Sequence, residues 1–405
     1  MSFRLALSGL NAASTDLNVT ANNIANSATT GFKQSRTEFA ELFSTSSEAL
    51  AANTVGNGVR VANVAQQFKQ GNIESTSNNL DLALSGSGFF TLSQGGALSY
   101  TRDGSFRPDA NGFVVNGEGQ RLQVYPPNGI GGFNTGVLSD LRLVTSESAP
   151  AATSNVSVLL NLPSDSTVPT TTPFNAADPT SYNRATALTV YDSLGAAHTA
   201  STYYSKTAAP GIWNMNLSID GTSAGPAQQL TFNNSGVLTS PTNGTLTFPA
   251  YTPATGGAPI VLNVNYSGST QYGSAFGVNS ISQDGYTTGR LTSIDIDKTG
   301  VAQARYTNGK AVSLGQLALA NFAAPNNLQK MGDTQWGESF GSGQAVRGTA
   351  GVAGLGEIQS SSLEASNVDI TAQLVNMITA QRNFQANAQM IQTSDQITQT
   401  IINMR

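Results

Sequence analysis

The residues best able to do chemistry are few, and their contexts lack the partners that a site needs. His198 is the single histidine and the chain has no cysteine, so the usual nitrogen and sulfur ligands of zinc are missing. Residues 295–300 (DIDKTG) open like a calcium-binding loop, but Tyr306 stands where the bidentate glutamate belongs. We therefore predict a hairpin turn at 295–300, and neither a metal nor a cofactor.

The glycine-rich segments also fall short of nucleotide-binding motifs. Residues 351–356 (GVAGLG) follow no clear strand, and Thr91 replaces the third glycine of the motif that begins at Gly86. Ala304 fills the first glycine position of a phosphate-binding loop before Lys310, and no GxSxG nucleophile motif occurs. A glycosidase pair of carboxylates has no spacing signature and stays open. The sequence predicts that the protein is not an enzyme.

Composition indicates a structural protein. Only 11% of the 405 residues are charged, against about 25% in typical soluble proteins, and the net charge of −5 comes with no basic patch. Nucleic acid is therefore not an expected partner. A cysteine-free chain rich in Gly, Ser, Thr and Asn suits an extracellular bacterial structural protein. No secretory signal and no apolar run of about 20 residues is visible, so we expect no membrane insertion, and a protein that works outside the cell would have to leave it without a cleaved signal peptide.

The region that contains these candidate residues is flanked by two segments with helical periodicity. Residues that are mostly apolar recur at alternating steps of four and three from Phe3 to Ala28 and again, with a similar rhythm, from Ile370 to Ile402. This spacing predicts a coiled-coil-like seam on each helix. Between residues 5 and 32 the only charge is Asp16, whereas an ordinary surface helix carries charged side chains on its solvent-exposed face. The segments are either two amphipathic helices on an ordinary core or, as we favour, helices surrounded by other protein.

Weak helix propensity supports an assembly role for these segments. Residues 18–23 (NVTANN) are poor helix formers, and an isolated helix of this length is marginal. Packing must supply the missing stability, and the partner could be another copy of the chain. The predicted subunit-interface residues are Phe3, Leu7, Leu10, Leu17, Asn22, Asn23, Ile24, Asn26, Leu374, Met377, Ile378, Phe384, Ala388, Ile391, Ile397 and Ile401.

Between the helices, period-two patterns predict β structure. Asn111-Gly112 and Asn116-Gly117 are hairpin signals, and a Ser-, Thr- and Pro-rich transition begins near residue 146. The predicted fold is mainly β with terminal α-helices and nested, discontinuous domains, two of them sandwich-like or barrel-like. We predict a helical core domain at 1–32 and 363–405, a linker at 33–70 with a short helix near 38–43, an inner β domain at 71–145 and 274–362, and an outer β domain at 146–273.

Three long segments resemble one family. Residues 7–33 (LSGLNAASTDLNVTANNIANSATTGFK), 363–391 (LEASNVDITAQLVNMITAQRNFQANAQMI) and 104–125 (GSFRPDANGFVVNGEGQRLQVY) resemble, in the same order, segments of the flagellar rod and hook proteins. Residues 172–199 are similar to the outer domain of the hook members of that family. Rod subunits are shorter and lack a large middle insertion, and the junction proteins are longer, so the length favours a hook subunit.

The resemblance implies a function that composition alone does not. It implies a structural subunit that polymerises into a curved, flexible tube, a universal joint that links rod to filament and transmits motor torque. The implied partners are further copies of the chain, the hook cap, the distal rod and hook–filament junction proteins, and the flagellar type III export apparatus. The implied location is the extracellular hook of the flagellum. A distal rod subunit and a secreted oligomeric β-rich adhesin are the alternatives.

Overall fold

The chain is mainly β with one long α-helix at each end, as predicted from the sequence. The computed structural model describes residues 2–42, 56–129, 131–143 and 147–403. The N-terminal helix α1 comprises Ser2–Ala25 and the C-terminal helix α2 comprises Ile370–Asn403. Short 3₁₀ turns occur at Pro179–Ser181 and Pro325–Asn327.

The strands between the helices are short, as expected for a chain rich in turn residues. The first ten are β1 (Ser35–Glu41), β2 (Val59–Gln66), β3 (Ile73–Ser75), β4 (Leu82–Ser85), β5 (Phe89–Gln94), β6 (Ala97–Thr101), β7 (Arg107–Pro108), β8 (Val114–Val115), β9 (Arg121–Tyr125) and β10 (Ser139–Asp140). The next ten are β11 (Asn155–Asn161), β12 (Arg184–Tyr191), β13 (Ala197–Lys206), β14 (Ile212–Ile219), β15 (Thr222–Ser223), β16 (Gln228–Phe232), β17 (Leu238–Ser240), β18 (Thr245–Thr247), β19 (Asn263–Asn265) and β20 (Gly277–Gln283). The last nine are β21 (Leu291–Ile296), β22 (Val301–Tyr306), β23 (Ala311–Leu317), β24 (Leu319–Asn321), β25 (Gln329–Gly332), β26 (Gln335–Gly337), β27 (Val346–Gly348), β28 (Glu357–Ser360) and β29 (Ser362–Glu364).

The chain forms two compact units. Unit 1 comprises residues 1–145, 293–305 and 311–405, and unit 2 comprises residues 146–292 and 306–310. Both terminal helices belong to unit 1. A separation of unit 1 into a helical core domain and an inner β domain stays a prediction.

Unit 1 is built on a 13-stranded sheet that draws on both outer β regions of the sequence. Strand β9 pairs with β5 and with β23, so segments far apart in the chain are neighbours in one sheet. The Asn111-Gly112 and Asn116-Gly117 turns connect β7 to β8 and β8 to β9, as predicted. Residues 295–300 form the predicted hairpin turn, in which the Asp297 carboxylate accepts hydrogen bonds from the backbone N–H groups of Thr299 and Val301.

Unit 2 is a β-sandwich. A four-stranded sheet (β18-β19-β11-β20) and a six-stranded sheet (β12 to β17) contribute to one apolar core. Alternation along β13 and β14 directs one face of each strand inward, where Tyr204, Trp213 and Met215 are fully buried. The Tyr204 and Tyr266 hydroxyls lie 3.0 Å apart, so two buried polar groups satisfy each other.

The short helix predicted near residues 38–43 is wrong. Strand β1 runs through Glu41 and pairs antiparallel with β2, and Phe43 lies outside the described residues. The strand forms because β2, which follows residues 43–55 in the sequence, offers β1 a hydrogen-bonding partner. This tertiary pairing overrides the local propensity of residues 38–43. The predicted linker at 33–70 thus contains a two-stranded sheet.

The predicted boundary between the β domains at residue 273 lies too early. Strand β20 pairs with β11 from Asn161↔Gly277 to Val156↔Gln283, which places it in unit 2. The spacing of residues within a segment carries no information on which strand that segment pairs with, so the partner of β20 could not be read from the sequence.

Candidate assembly surface on the terminal helices

The two terminal helices pack side by side and run antiparallel. The Asn23 Nδ2 atom lies 3.3 Å from Gln373 Oε1, and a Cβ atom on Gly9 would lie 2.4 Å from Asn387 Oδ1. Fourteen residues separate the two contacts on each helix, in opposite directions along the chain. With this offset the last turns of α2, beyond residue 394, extend past the start of α1.

The faces that pack within the chain carry small or polar side chains. On α1 the buried residues are Ala6, Ala12, Ala13, Thr20 and Asn23, and on α2 they are Gln373 and Ala380. Small side chains allow two helix backbones to approach closely and leave the larger apolar side chains for other faces.

The larger apolar side chains remain open on the single chain. Phe3 and Leu7 are 46% and 41% exposed, and Leu374 and Ile378 are 47% and 49% exposed. Ile397 and Ile401 are exposed on the part of α2 that extends beyond α1. The other predicted apolar interface residues are partly buried, namely Leu10, Leu17, Ile24, Met377, Phe384, Ala388 and Ile391. The helix pair therefore presents a nearly uncharged surface on which these apolar side chains are exposed, and Arg4, Asp16, Arg382 and Asp395 are the only charges among its described residues.

The three asparagines of residues 22–26 (NNIAN) have different roles. Asn22 is exposed, and Asn26 bonds back to the Asn22 carbonyl. Asn23 is buried within its own chain, where its amide accepts from the Ser35 N–H and donates to the Ser35 carbonyl. The prediction of Asn23 as a subunit contact is therefore not supported, because its polar atoms attach α1 to the start of β1.

A buried cluster of charges, which the sequence analysis missed, holds the helices to the β structure of unit 1. The Glu364 carboxylate lies 2.5 Å from Lys33 Nζ and 3.0 Å from Arg102 Nη1, and the side chains of Lys33 and Glu364 are fully buried. The same carboxylate accepts a hydrogen bond from the Gly71 N–H. Burial lowers the pKa of Lys33 and of Arg102, and the opposite charge of Glu364 counteracts that effect.

Polar side chains extend this attachment to the first turn of α2. The Asn367 side chain accepts from the Gln34 N–H and donates to the carbonyls of Gln67 and Lys69. Gln373 donates to the Gln34 side chain at 3.2 Å. Glu364 and Asn367 precede α2, so these contacts determine the direction in which the helix leaves the β structure of unit 1.

The backbone conformation at position 31 requires glycine. Its φ of +68° is unfavourable for other residues, and a Cβ atom would lie 2.5 Å from the Asp103 backbone nitrogen. Its N–H donates to the Glu364 carbonyl at 2.8 Å. Only glycine allows the chain after α1 to pass this close to the charge cluster.

His198 lies in a polar cluster of unit 2. Its Nδ1 lies 2.6 Å from Asp220 Oδ2, and its Nε2 lies 3.4 Å from Asp192 Oδ2. The Thr255 hydroxyl donates to the same Asp192 oxygen, and the Tyr251 ring packs edge-on against the imidazole. Among the described residues no group of His, Asp or Glu side chains has the arrangement of a metal site. The cluster ties the turn after β12 to β13 and to the turn after β14.

We expect this cluster to make unit 2 less stable as pH rises above neutrality. Burial alone lowers the pKa of His198, but the hydrogen bonds and charges of Asp220 and Asp192 outweigh it, so the pKa lies above its ordinary value of 6.5. The stabilisation is complete below that value and is lost as pH rises through the pKa of the folded state. Thermal unfolding from about pH 6 to about pH 9 should show a decline that His198→Gln lacks.

The matched control is Asp165→Asn, which removes an exposed carboxylate of the same unit. It should retain the pH dependence of the wild type. Because His198 is the only histidine, NMR titration reports its imidazole without assignment ambiguity. An imidazole pKa at or below the ordinary value would contradict this account.

Four family models together match most of the chain. Residues 3–33 match the flagella basal body rod protein model, and residues 83–167 match the flagellar hook protein FlgE/F/G D1 domain. Residues 161–286 match the flagellar basal body protein FlaE D2 domain, and residues 359–404 match the flagellar basal body rod FlgEFG protein C-terminal model.

Full-length relatives specify the family further. The chain is 39% identical over 417 residues to the flagellar hook protein FlgE of Escherichia coli, with 100% of both chains covered. It is 34% identical over 439 residues to that of Borreliella burgdorferi, with 98% of both covered. The crystal structure of Helicobacter pylori FlgE2 has a similar fold, with a TM-score of 0.55 at 13% identity, over 72% of this chain and 100% of that one.

These matches and the nested architecture define a flagellar axial protein. The chain belongs to the flagellar hook protein FlgE family. Proteins of this family are structural components of the flagellar hook and basal body. No helix of the described chain is long and apolar enough to cross a membrane.

Proposed function

We propose that the chain is the subunit of a hook tube, in which copies assemble through their terminal helices. The observation that carries this proposal is the set of large apolar side chains left open on a helix pair whose own contact uses small residues. Fully burying an exposed Leu or Ile contributes about 1.5–3 kcal/mol, and these side chains are about half exposed, so each would contribute roughly half of that on assembly.

The buried charge cluster gives the assembly surface its mechanical role. Torque passed through the tube must cross from the helices to the β structure of each subunit. Glu364, Lys33 and Arg102 form that connection with short, buried, charge-assisted bonds. The helices and the β structure of unit 1 therefore move together under load.

The β surfaces meet a different requirement. Bending a rotating tube needs each row of subunits to lengthen and shorten in turn. Contacts between small polar side chains slide at modest cost, whereas interlocked apolar contacts resist displacement. We propose that the helices hold the tube together and that unit 2 supplies lateral contacts that slide. Export through the flagellar type III apparatus and contacts with the cap, distal rod and junction proteins are part of this proposal.

Expression in a bacterium that lacks its own hook protein tests the function. We expect curved tubes on the basal bodies and restored swimming. Straight tubes would favour the distal rod alternative. Secreted protein that binds surfaces without forming tubes would favour an adhesin.

A further inference from the structure

The chain contains six Asn-Gly pairs, and this dipeptide can modify itself. Asparagine is a thermolabile residue, and a following glycine has no Cβ atom to hinder the approach of its backbone nitrogen to the asparagine side chain. That nitrogen attacks the side-chain carbonyl carbon, loses its proton and expels ammonia, which closes a succinimide ring. Water then opens the ring on either side and leaves aspartate or isoaspartate. The six pairs begin at Asn57, Asn111, Asn116, Asn128, Asn243 and Asn308.

Four of the pairs have an asparagine side chain that is already held, namely those at Asn116, Asn128, Asn243 and Asn308. In each, the side-chain oxygen accepts a hydrogen bond at 2.8–3.1 Å from a backbone N–H two or four residues further along the chain. In the last two pairs the glycine N–H also donates to a backbone carbonyl. These bonds must break before the side chain and the glycine nitrogen can meet.

The pair at Asn111 is held through its glycine. Asn111 is exposed, but Gly112 is buried and its N–H donates to the Asp109 carbonyl at 3.0 Å. The Asp109 carboxylate accepts from the N–H groups of Asn111 and Phe113, which fixes the turn. The nitrogen that would attack is therefore bonded and covered.

The pair at Asn57 has neither restraint. Among the described residues, the Asn57 side chain and the Gly58 N–H make no hydrogen bond, and Asn57 is exposed. The Asn57 N–H donates to the Leu42 carbonyl, and the Gly58 carbonyl accepts from the Leu42 N–H. These two bonded groups take no part in closing the ring, so both reacting groups remain available.

We propose that Asn57 is the preferred site of succinimide formation in the folded chain, and that this modification loosens the contact between β2 and α1. Isoaspartate adds one carbon to the main chain between residues 57 and 58. The Val59 N–H donates to the Ser8 hydroxyl of α1 at 3.3 Å, and a Cβ atom on Gly58 would lie 2.3 Å from the same oxygen. A contact this close has no room for a longer main chain. This inference does not depend on the proposed function.

Peptide mapping by mass spectrometry tests the site. The folded chain is kept at mildly alkaline pH, and each Asn-Gly peptide is followed for the gain of about 1 Da that accompanies replacement of an amide by a carboxylate. The Asn57 peptide should gain this mass about fivefold or more faster than the Asn111 peptide, because the Gly112 hydrogen bond must first break. In the chain unfolded by denaturant, the six rates should converge.

Three results would overturn the assignment of the site. The first is an equal rate at Asn57 and Asn111 in the folded chain, and the second is faster modification at one of the other four pairs. The third is a preference for Asn57 that persists unchanged in the unfolded chain, because local sequence and not the fold would then select it.

Hydrogen exchange across β2 tests the consequence. Chain that carries isoaspartate at position 57 should exchange faster at Val59 than fresh chain. Asn57→Gln, which cannot close the five-membered ring, is the matched control and should be unchanged after the same incubation. Fresh Asn57→Asp adds the charge without lengthening the main chain and should exchange like the wild type. Unchanged exchange in chain that carries isoaspartate would show that the contact with α1 is not loosened.

Discussion

Glu364→Ala should destabilise unit 1 by about 3–5 kcal/mol, because it leaves the cations of Lys33 and Arg102 buried without their common anion. The loss should be largest where α2 begins, since Glu364 and Asn367 position that helix. Chemical denaturation measures the stability, and hydrogen exchange across residues 364–373 measures the local effect. Glu357→Gln, which neutralises an exposed carboxylate on β28, is the control and should have a small effect.

A double variant separates the charge cluster from simple packing. Lys33→Met with Glu364→Gln removes one cation together with the anion charge. If the cluster acts as a unit, the double variant should lose less stability than the sum of the losses of the single variants Lys33→Met and Glu364→Gln. Additive losses, or a Glu364→Ala variant as stable as the wild type, would show that the cluster does not fix the helices to the β structure of unit 1.

Leu7→Asp and Ile378→Asp should each abolish tube formation while leaving the monomer folded. Both side chains are roughly half exposed on the single chain, so a carboxylate there remains hydrated in the monomer. In the proposed tube the same carboxylate would be buried without a partner, which is prohibitively costly. Circular dichroism reports the fold, and negative-stain electron microscopy reports the tubes.

Leu7 and Ile378 test assembly more specifically than Leu10 and Phe384. The latter two side chains are partly buried, so substituting them would also disturb packing within the chain. Thr167→Asp adds the same charge to an exposed position in unit 2 and should assemble normally. Normal tubes from both helix variants would mean that the terminal helices are not the assembly element.

The existence of the terminal helices and of the Asn-Gly turns could be predicted because their signals are local. Steps of three and four located α1 and α2, and the turns at residues 111–112 and 116–117 needed only adjacent residues. The face of α1 that packs on α2 was harder to identify. The large apolar residues suggested one seam, whereas the internal contact uses Ala6, Ala13 and Thr20.

The charge cluster could not be derived from spacing. Lys33 and Glu364 are 331 positions apart, and no periodicity links them. The one available signal was the low number of charged residues. In a chain with 11% charged residues, a lysine directly after α1 and its following turn and a glutamate shortly before α2 were candidates for pairing. The pairing of β1 with β2 also joins residues that are not neighbours in sequence, and local propensity at residues 38–43 does not reveal it.

Reconstruction of the polymer by electron cryomicroscopy tests most directly whether the terminal helices assemble the hook. The account predicts a tube in which Leu7, Ile378 and Ile401, exposed on the single chain, are buried against neighbouring copies. A tube in which these side chains stay open to solvent, with subunits joined only through their β structure, would contradict it.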